Sequence, residues 1–500
     1  MKKLFSTDQI RDWDRYTIEI EPISSLRLME RASTKAFAIL MGLLDDEDIT
    51  IFCGTGNNGG DGLVLARLLR LAEFEVDVFI LGDPAKGSED FKTNLEKVGE
   101  VQVLANAEMD LMEYLNGKVV IDAIFGSGLT RPLEEWRSDI VRSINPYAGR
   151  IISLDLPSGL PGDASSWDHD SIWADLTISF QQPKKSFFYE EGDQRSGEII
   201  VADIGLHPDY EEDESCTDYF VDPEYLGDLL VQPFRFIHKG NKGMAQVVGG
   251  HHRMFGAIGL TANAALRSGA GLVVAQVPAQ AEMLIHQWHP EAMVIADQGT
   301  EFLTRLEVHP KTTALGIGPG MGQDTASLPV LHSALASELP LVIDADALNL
   351  IAAHGLQKEM KRAYPTVITP HPTEFDRLFG AHEGENAIVD REATTRAKAQ
   401  EYQCFIVLKG AFSRIYTPEG ECIYNTSGSP ALAVGGSGDV LTGLLTGMLA
   451  QGFAPVAATM LAVYLHGSAG ERFEEMYGTR GMTATDIVDL LPEVFAQFID

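Results

Sequence analysis

The chain has 500 residues, 45% of them hydrophobic and 48 of them glycine, and this length and composition predict a globular protein with more than one domain. Its formal net charge of −34 argues against a general binder of nucleic acid or of anionic membrane, since neither polyanion is attracted to such a surface. The net charge does not exclude binding of a small phosphorylated ligand, because backbone N–H groups, helix N-termini and a few lysines can bind phosphate locally.

The compartment is predicted from the N-terminus and the cysteines. Residues 1–16 are rich in charged and polar side chains and contain no apolar run, so we expect no signal peptide. No stretch approaches the roughly 18 continuous apolar residues of a membrane span. Four widely spaced cysteines without a CxxC pair predict a reducing compartment and no zinc site. We therefore expect a cytoplasmic protein.

The first half of the chain alternates short β-rich runs with helical patterns. Residues 26–43 have the apolar spacing of a helix. The predicted strands that follow are 49–53, 75–81, 119–124, 151–156 and 176–180. Strands separated by helices predict a parallel sheet covered by helices, here a Rossmann-like three-layer α/β domain.

A second α/β series follows an acidic run at residues 209–215, which has no core pattern. We therefore predict a first domain at 1–215, a linker at 216–230 and a second domain at 231–500. The strands predicted in the second domain are 245–248, 272–277, 314–317, 341–344, 367–369 and 405–408. The two halves show no self-similarity, which favours two different α/β domains over a duplication.

Glycine-rich and acidic segments follow the strands of the first domain. Residues 54–62 read Gly-Thr-Gly-Asn-Asn-Gly-Gly-Asp-Gly between a strand and a helix, where backbone N–H groups can approach an anion, although a plain turn explains the glycines equally well. Asn58, Asp122 and Ser158 offer hard oxygen donors for a monovalent cation. Asp155 is then the candidate acid–base residue, while a cap or turn former is the alternative for each single aspartate.

These segments resemble the NAD(P)H-hydrate epimerase family over residues 1–215. The resemblance is carried by Leu-Met-Glu-Arg-Ala at 28–32, by the Asn-Asn-Gly-Gly-Asp loop, by the Asp122 segment and by Asp-Leu-Pro-Ser-Gly at 155–159. It implies catalysis by Asp155 and potassium at Asn58, Asp122 and Ser158; Lys184 lies where the family places a lysine. The residues that it implies for hydrate binding are Asn57, Asn58, Gly59, Gly60, Asp61, Gly126, Ser127, Gly128, Leu129, Thr130, Arg131, Pro132 and Asp155.

The second domain contains a phosphate-binding pattern, Gly-Gly-Ser-Gly-Asp-Val-Leu-Thr-Gly at 435–443. Its glycines lead into an amphipathic helix, so N–H groups and the helix N-terminus form an anion hole. Asp439 in that motif is either a helix cap or a base that deprotonates a hydroxyl during phosphoryl transfer. Lys409 ends a predicted strand and is a candidate nucleotide contact, and His371 and Glu374 lie in a proline-fixed loop.

This half resembles the ADP- or ATP-dependent NAD(P)H-hydrate dehydratase family, which has the ribokinase-like α/β fold, over about residues 230–500. The shared motifs include Lys-Gly-Asn-Lys-Gly at 239–243, Asp-Ala-Asp-Ala-Leu-Asn at 344–349, Thr-Pro-His-Pro at 369–372 and Gly-Ser-Gly-Asp at 436–439. The resemblance implies hydrate binding by Ala257, Gly320, His371 and Asp439, with Asp439 catalytic. It implies nucleotide binding by Lys409, Gly410, Ala411, Phe412, Ser413 and Gly438. Residues 427–433, Val434 and Phe412 depart from the family pattern.

The combined expectation is a bifunctional repair enzyme. The first domain epimerises the R and S hydrates of NADH and NADPH (NADHX and NADPHX), with potassium. The second dehydrates the S hydrate with ADP and Mg²⁺, giving AMP and phosphate. We expect small-molecule partners only, with no nucleic acid or membrane, and assembly into homo-oligomers. A small-molecule kinase and a non-catalytic nucleotide sensor are the alternatives. The sequence leaves open the choices between ADP and ATP and between the two hydrates.

Overall fold

The computed structural model describes residues 1–45, 47–129, 131–165, 169–230, 234–382 and 387–498. The chain divides into two compact units. One comprises Lys3–Cys216, and the other comprises Thr217–Asp500 together with Met1–Lys2. Each unit is built on its own sheet, so the two are described separately.

The unit Lys3–Cys216 contains a seven-stranded sheet in which all neighbouring strands are parallel. After β1 (Lys2–Lys3), which lies at the edge of the other sheet, its strands are β2 (Ile49–Cys53), β3 (Val76–Leu81), β4 (Gln102–Leu104), β5 (Val119–Ala123), β6 (Arg150–Leu154), β7 (Leu176–Phe180) and β8 (Glu198–Ala202). Their order in the sheet is β4-β3-β2-β5-β6-β7-β8. Strands β4 and β8 were not predicted.

Helices cover both faces of this sheet. They are α1 (Thr7–Ile20), α2 (Ser25–Leu40), α3 (Asn57–Leu71), α4 (Glu89–Val98), α5 (Met112–Leu115), α6 (Glu135–Tyr147), α7 (Glu190–Ser196) and α8 (Pro208–Asp213). Alternate side chains of a strand point to opposite faces: Ile51 packs with Leu63 of α3, and its neighbour Phe52 packs with Ile140 of α6. The predicted Rossmann-like three-layer fold is confirmed.

The second unit contains an eleven-stranded sheet in the order β1-β9-β18-β17-β16-β15-β14-β13-β10-β11-β12. Its strands after β1 are β9 (Asp218–Phe220), β10 (Met244–Val248), β11 (Leu272–Val277), β12 (Met293–Ala296), β13 (Ala314–Ile317), β14 (Leu341–Ile343), β15 (Thr366–Ile368), β16 (Phe405–Leu408), β17 (Arg414–Tyr416) and β18 (Cys422–Tyr424). Strands β10 to β16 are parallel, and β17 is antiparallel to both of its neighbours.

The helices of this unit are α9 (Pro223–Leu229), α10 (Phe255–Arg267), α11 (Glu282–Trp288), α12 (Leu328–Leu335), α13 (Ala345–His354), α14 (Pro372–Phe379), α15 (Ala387–Tyr402), α16 (Ser437–Ala450), α17 (Pro455–Tyr477) and α18 (Ala484–Ala496). The largest core lies where α10, α16, α17 and α18 pack on the sheet, through residues such as Ile258, Leu444, Leu461 and Ile487. Helix α16 is buried along most of its length, which fixes the loop before it. In the described ranges, no helix is both long and apolar enough to cross a bilayer.

The linker predicted over residues 216–230 requires a correction. Strand β9 pairs in parallel with β18, with Tyr219 opposite Ile423, and Leu226 of α9 is fully buried. The acidic run that suggested a linker ends the first unit instead, largely as the exposed helix α8. A strand of three residues whose partner lies about 200 positions away leaves no periodic signal, so the sequence pattern gave no indication of it.

Candidate active sites

A cavity of about 390 Å³ lies in the unit Lys3–Cys216, where β2, β5 and β6 end. This is the edge at which open parallel sheets bind ligands. Of the residues predicted to bind the hydrate, the lining includes Asn57, Asn58, Asp61, Gly126, Ser127, Gly128, Leu129 and Asp155. Arg131 and Pro132 are exposed and lie outside this lining. Thr130 falls outside the described residues.

Gly59 and Gly60 are buried in the first turn of α3, where neighbouring atoms leave little space for a side chain. A Cβ on Gly59 would lie 1.7 Å from the carbonyl oxygen of Gly54, and one on Gly60 would lie 2.8 Å from Sδ of Met29. Gly59 is therefore required for α3 to start this close to the end of β2, whereas the neighbour of Gly60 is the flexible end of Met29 in α2, which can shift. Because α3 begins there, Asn57 and Asn58 are placed at the cavity.

Asp155 is the most tightly held carboxylate of this cavity. It follows β6 with a positive φ of 66°, a strained conformation that is typical of functional sites. Its Oδ1 lies 2.8 Å from Nζ of the buried Lys184, and its Oδ2 accepts the Ser127 N–H at 2.8 Å. Burial raises the pKa of Asp155, but the Lys184 ammonium and the Ser127 N–H outweigh burial and hold this pKa below its usual range. Asp155 is therefore ionised at neutral pH.

The three predicted cation ligands lie around the same loops. Asp122 is fully buried, and it accepts hydrogen bonds from Ser158 Oγ at 2.5 Å and from Ser158 N at 2.8 Å. Burial raises the pKa of Asp122. The buried amide oxygen of Asn58 has no hydrogen-bond partner in the described part of the chain, while its Nδ2 donates to Leu154 O at 3.3 Å. A buried amide oxygen without a partner is a hard donor of the kind that suits a cation.

Three further acids line this cavity, Asp61, Asp14 and Asp90, and the last two were not predicted. Asp61 is buried and accepts a hydrogen bond from Ser33 Oγ at 3.0 Å; burial raises its pKa well above the usual range. Asp14 of α1 was missed by the sequence analysis. Burial, and then the charge of Asp155, raise the pKa of Asp14 to about 7.

In the second unit the glycine loop leads into α16 as the sequence predicts. Gly436 is the N-cap of α16 with a φ of 93°, which only glycine adopts readily. The N–H groups of the first turn have no partner inside a helix and are available to an anion. Asp439 is the third residue of α16 and makes no side-chain cap bond, so the alternative of an Asp439 cap is wrong.

Asp439 lies among other charged groups. Burial, and then the negative charge of Asp344, raise the pKa of Asp439 to about 7. Asp344 is buried and accepts hydrogen bonds from Lys409 Nζ at 2.9 Å and from Thr442 Oγ at 2.7 Å. Burial lowers the pKa of Lys409, but the carboxylates of Asp344 and Glu374 outweigh burial and raise it. Lys409 is therefore a charged ammonium group held by Asp344, whose role the sequence analysis did not predict.

The structure links only some of the other predicted residues to this cluster. A Cβ on Gly438 would lie 3.3 Å from Lys409 Nζ, which places the ammonium beside the loop. Ala257 and Gly320 are neighbours, since a Cβ on Gly320 would lie 2.9 Å from that of Ala257. His371 caps α14, and its backbone N–H donates to Glu374 Oε2 at 2.9 Å. Gly410, Ala411, Phe412 and Ser413 form the turn between β16 and β17.

His466 of α17 is a half-buried side chain that contacts the same loop, and it was not predicted. Its Nε2 lies 3.0 Å from both the hydroxyl and the carbonyl oxygen of Ser437. Burial lowers the pKa of His466 to about 4, so the ring is neutral. We expect His466→Leu to reduce the free energy of unfolding by about 0.5–1.5 kcal/mol, because the partly buried hydroxyl and carbonyl groups of Ser437 lose a hydrogen-bond partner. Urea unfolding followed by circular dichroism measures this, with the exposed His354→Leu as a control that leaves stability unchanged.

Comparison with known proteins finds relatives over nearly the whole chain. Residues 245–493 match the family described as NAD(P)H-hydrate dehydratase, and residues 25–186 match the family described as YjeF-related protein N-terminus. The bifunctional NAD(P)H-hydrate repair enzyme of Moorella thermoacetica is 34% identical to this chain, covering 98% of the chain and 96% of the relative. The chain belongs to the bifunctional NAD(P)H-hydrate repair enzyme family. The relative from Coxiella burnetii is 33% identical, covering 97% of this chain and 98% of its own length.

Solved structures resemble the second unit of this repair-family chain. The ADP/ATP-dependent NAD(P)H-hydrate dehydratase of Bacillus subtilis, co-crystallised with ATP/Mg²⁺, is 32% identical with a TM-score of 0.50, covering 56% of this chain and 98% of that protein. A ribokinase-like superfamily protein of Enterococcus faecalis is 29% identical with a TM-score of 0.50, covering 57% of this chain and 98% of its own. The predicted ribokinase-like fold of the second domain is confirmed.

Proposed function

We propose that this repair-family chain converts both hydrates of NADH and NADPH back to the reduced cofactors, by epimerisation in one unit and nucleotide-dependent dehydration in the other. The observation that carries the proposal is the state of the two predicted catalytic acids. Asp155 is a buried carboxylate paired with Lys184 in a cavity, and Asp439, whose pKa is raised to about 7, lies at the start of the helix that follows the glycine loop. Each acid is thus in a state suited to proton transfer in its own unit: Asp155 is ionised, and Asp439 has a pKa near neutral pH.

Epimerisation requires reversible loss of the hydroxyl from C6 of the reduced nicotinamide ring. The nitrogen lone pair forms a double bond to C6 as the C6–O bond breaks, and water then adds to the other face. Asp155 accepts the proton of the attacking water, because Lys184 keeps it ionised and the Ser127 N–H fixes one of its oxygens. The glycine loop at 126–128 lines the cavity beside it and holds the hydrate.

Asn58, Asp122 and Ser158 would hold potassium in this unit. The fit rests on the orphaned Asn58 amide oxygen and on the burial of Asp122. When bound, the ion supplies positive charge next to the loops that line the cavity. The network that joins Asp122 to Ser158 keeps the strand ends of β5 and β6 together with or without it.

We expect potassium chloride to raise the melting temperature of the protein above its value in choline chloride at equal ionic strength, because an ion that binds only the folded state stabilises it. Differential scanning fluorimetry measures this without substrate. Asn58→Leu removes the orphaned oxygen and abolishes the difference. The matched variant Asn106→Leu, at an exposed position of the same unit, keeps it. An equal shift in wild type and Asn58→Leu would place the ion elsewhere.

Dehydration proceeds through phosphorylation of the same hydroxyl in the S hydrate. Asp439 takes the hydroxyl proton while the oxygen attacks the terminal phosphorus of ADP, and AMP leaves. Lys409 and the first-turn N–H groups of α16 stabilise the charge on the transferred group. The C6–O bond then breaks, phosphate departs and C5 loses a proton, which restores the ring double bond. Phosphate is a better leaving group than hydroxide, which is why the reaction consumes a nucleotide.

Mg²⁺ would accompany the nucleotide in this site. Magnesium usually binds through one or two carboxylates together with substrate phosphates, and no group of three or more acidic, histidine or cysteine side chains is arranged to hold a metal ion in the described part of the chain. The carboxylate of Asp346, whose negative charge acts on Asp439, fits such a partial donor set. When bound, the ion neutralises charge on the phosphates.

Recovery of reduced cofactor tests the proposal. A mixed pool of R and S hydrates is incubated with ADP, with ATP or with neither, and absorbance at the reduced-nicotinamide band is followed. Full recovery with ADP is expected, since both hydrates reach the dehydratase. A plateau at the S fraction, after subtraction of spontaneous epimerisation, would contradict the epimerase assignment. No recovery from folded protein, with a phosphorylated product that persists, would replace the dehydratase by a kinase.

Two predictions about the protein as a whole accompany this function. Large α/β surfaces favour assembly into homo-oligomers, and we propose that state here as well. The four cysteines form no disulfide in the structure, in keeping with the reducing cytoplasm that we propose as its location.

A further inference from the structure

A second carboxyl group faces the cavity that contains Asp155. Asp14 of α1 lines this cavity of about 390 Å³ and is half-buried. Its carboxyl group makes no hydrogen bond or ion pair with any residue that the structure describes, in contrast to Asp155, which is held on both oxygens. A partly buried acid without a partner is costly to keep for structural reasons alone.

Helix α1 holds Asp14 in a fixed position. The helix begins with a capping box between Ser6 and Gln9. One residue before Asp14, Trp13 Nε1 donates to His207 O at 2.8 Å, and three residues after it, Thr17 Oγ accepts the His207 N–H at 2.9 Å. Asp14 thus lies among the buried residues of α1, and hydrogen bonds at Trp13 and Thr17 hold the helix in place on both sides of it.

The charged groups around Asp14 give it a protonation state different from that of Asp155 in the same cavity. Burial, and then the negative charge of Asp155, raise the pKa of Asp14 to about 7, while the positive charges of Lys184 and Arg11 oppose this rise. Burial also raises the pKa of Asp61, which accepts a hydrogen bond from Ser33 Oγ. Asp90 also lines the cavity. At neutral pH Asp155 is therefore a carboxylate facing the same space as a carboxyl group that still carries its proton about half of the time.

We propose that Asp14 is the second proton-transfer residue of the epimerase, complementary to Asp155; this rests on the proposed epimerase function. The Asp14 carboxyl group donates its proton to the hydroxyl that leaves C6 of one hydrate, so that water departs as the ring nitrogen forms its double bond to C6. Water then adds to the opposite face of C6 and gives its proton to Asp155. Transfer of that proton back to Asp14 through solvent restores the starting enzyme, and the reverse reaction uses the two acids in exchanged roles.

The test measures epimerisation alone. A single hydrate epimer is incubated without nucleotide, the two epimers are separated by chromatography, and the enzyme-free rate is subtracted at each pH from about pH 6 to about pH 9. We expect kcat/KM of the wild type to fall as the pH rises through about 7, because the active form carries one proton on Asp14. Asp14→Asn is expected to lower kcat about 10²-fold and to remove this decline. Asp14→Glu restores part of the rate, and Asp12→Asn, on the exposed side of α1, leaves rate and pH profile unchanged.

The outcomes distinguish a failure of the epimerase assignment from a failure of the role proposed for Asp14. Wild-type protein that does not epimerise the hydrate overturns the epimerase assignment itself. Wild-type protein that epimerises at the same rate as Asp14→Asn overturns the role of Asp14, as does an Asp14→Asn variant that is slow but keeps the decline above neutral pH. If the variant does not fold, the wild-type profile still decides, since a rate that stays constant through pH 7 contradicts proton donation by Asp14. Circular dichroism and thermal unfolding of the variant, compared with wild type, serve as the folding control.

Discussion

Asp439→Asn is expected to lower kcat for nucleotide-dependent dehydration by about 10³-fold, the loss typical of removing a general base. The amide keeps the shape of the side chain at the start of α16 but cannot take the proton of the substrate hydroxyl. Because burial and Asp344 raise the pKa of Asp439 to about 7, the wild-type rate should rise as the pH increases through about 7, since the base must be deprotonated. The variant should lose that dependence together with its rate.

Initial rates with the pure S hydrate, ADP and Mg²⁺ measure this effect without the epimerase. The KM for ADP should change little, because the first-turn N–H groups and Lys409 remain in place. Asp489→Asn, an exposed substitution on α18, is the matched control and retains the wild-type profile. A variant that keeps its rate, or keeps the rise through neutral pH, would show that another group accepts the proton.

The sequence was informative where a function depends on a run of adjacent residues. The glycine loops before α3 and α16 were predicted from spacing alone, since a glycine with positive φ, such as Gly436, and a close approach, as between Gly59 and Gly54, leave a local signature. The main parallel strands were predicted for the same reason, because continuous apolar runs mark buried strands. Asp439 was found because it stands in such a loop, whereas Asp155 was found as an acid at the end of a predicted strand, in a motif that resembles the epimerase family.

The partners of those acids could not be predicted from spacing. Lys184 lies far along the chain from Asp155, and Lys409 lies 65 positions from Asp344; only the folded sheet brings the members of each pair together at its edge. Asp14 left a weak signal, since an acid stands in the otherwise inward-facing stripe formed by Ile10, Trp13 and Thr17. An exposed helical face would have explained that acid equally well, and the cavity was needed to decide.

Lys184→Met is expected to destabilise the unit Lys3–Cys216 by about 3–5 kcal/mol, because removal of one member of a buried ion pair leaves an unpaired charge in the interior. Lys184 is almost completely buried, and its ammonium lies 2.8 Å from Asp155 Oδ1. Without it, the pKa of Asp155 should rise, so that epimerisation is lost at neutral pH and part of it returns at higher pH. Lys86→Met, at a position whose side chain is 84% exposed, is the control and changes neither property.

The double variant Lys184→Met/Asp155→Asn distinguishes pairing from packing. Removing both charges should recover the part of the lost stability that is due to the unpaired Asp155, while epimerisation stays absent. The part due to the carbonyls of Phe180 and Gln182, which accept hydrogen bonds from the Lys184 ammonium, stays lost in both variants. The folded-state pKa of Asp155 lies below its usual value of 3.8. The ionised pair with Lys184 therefore contributes to stability above pH 3.8, and this contribution is lost as the pH falls through the folded-state pKa. The difference in unfolding free energy between Lys184→Met and the double variant should therefore shrink in acid, when Asp155 becomes neutral. An equal loss of stability in both variants at all pH values would instead assign Lys184 a packing role.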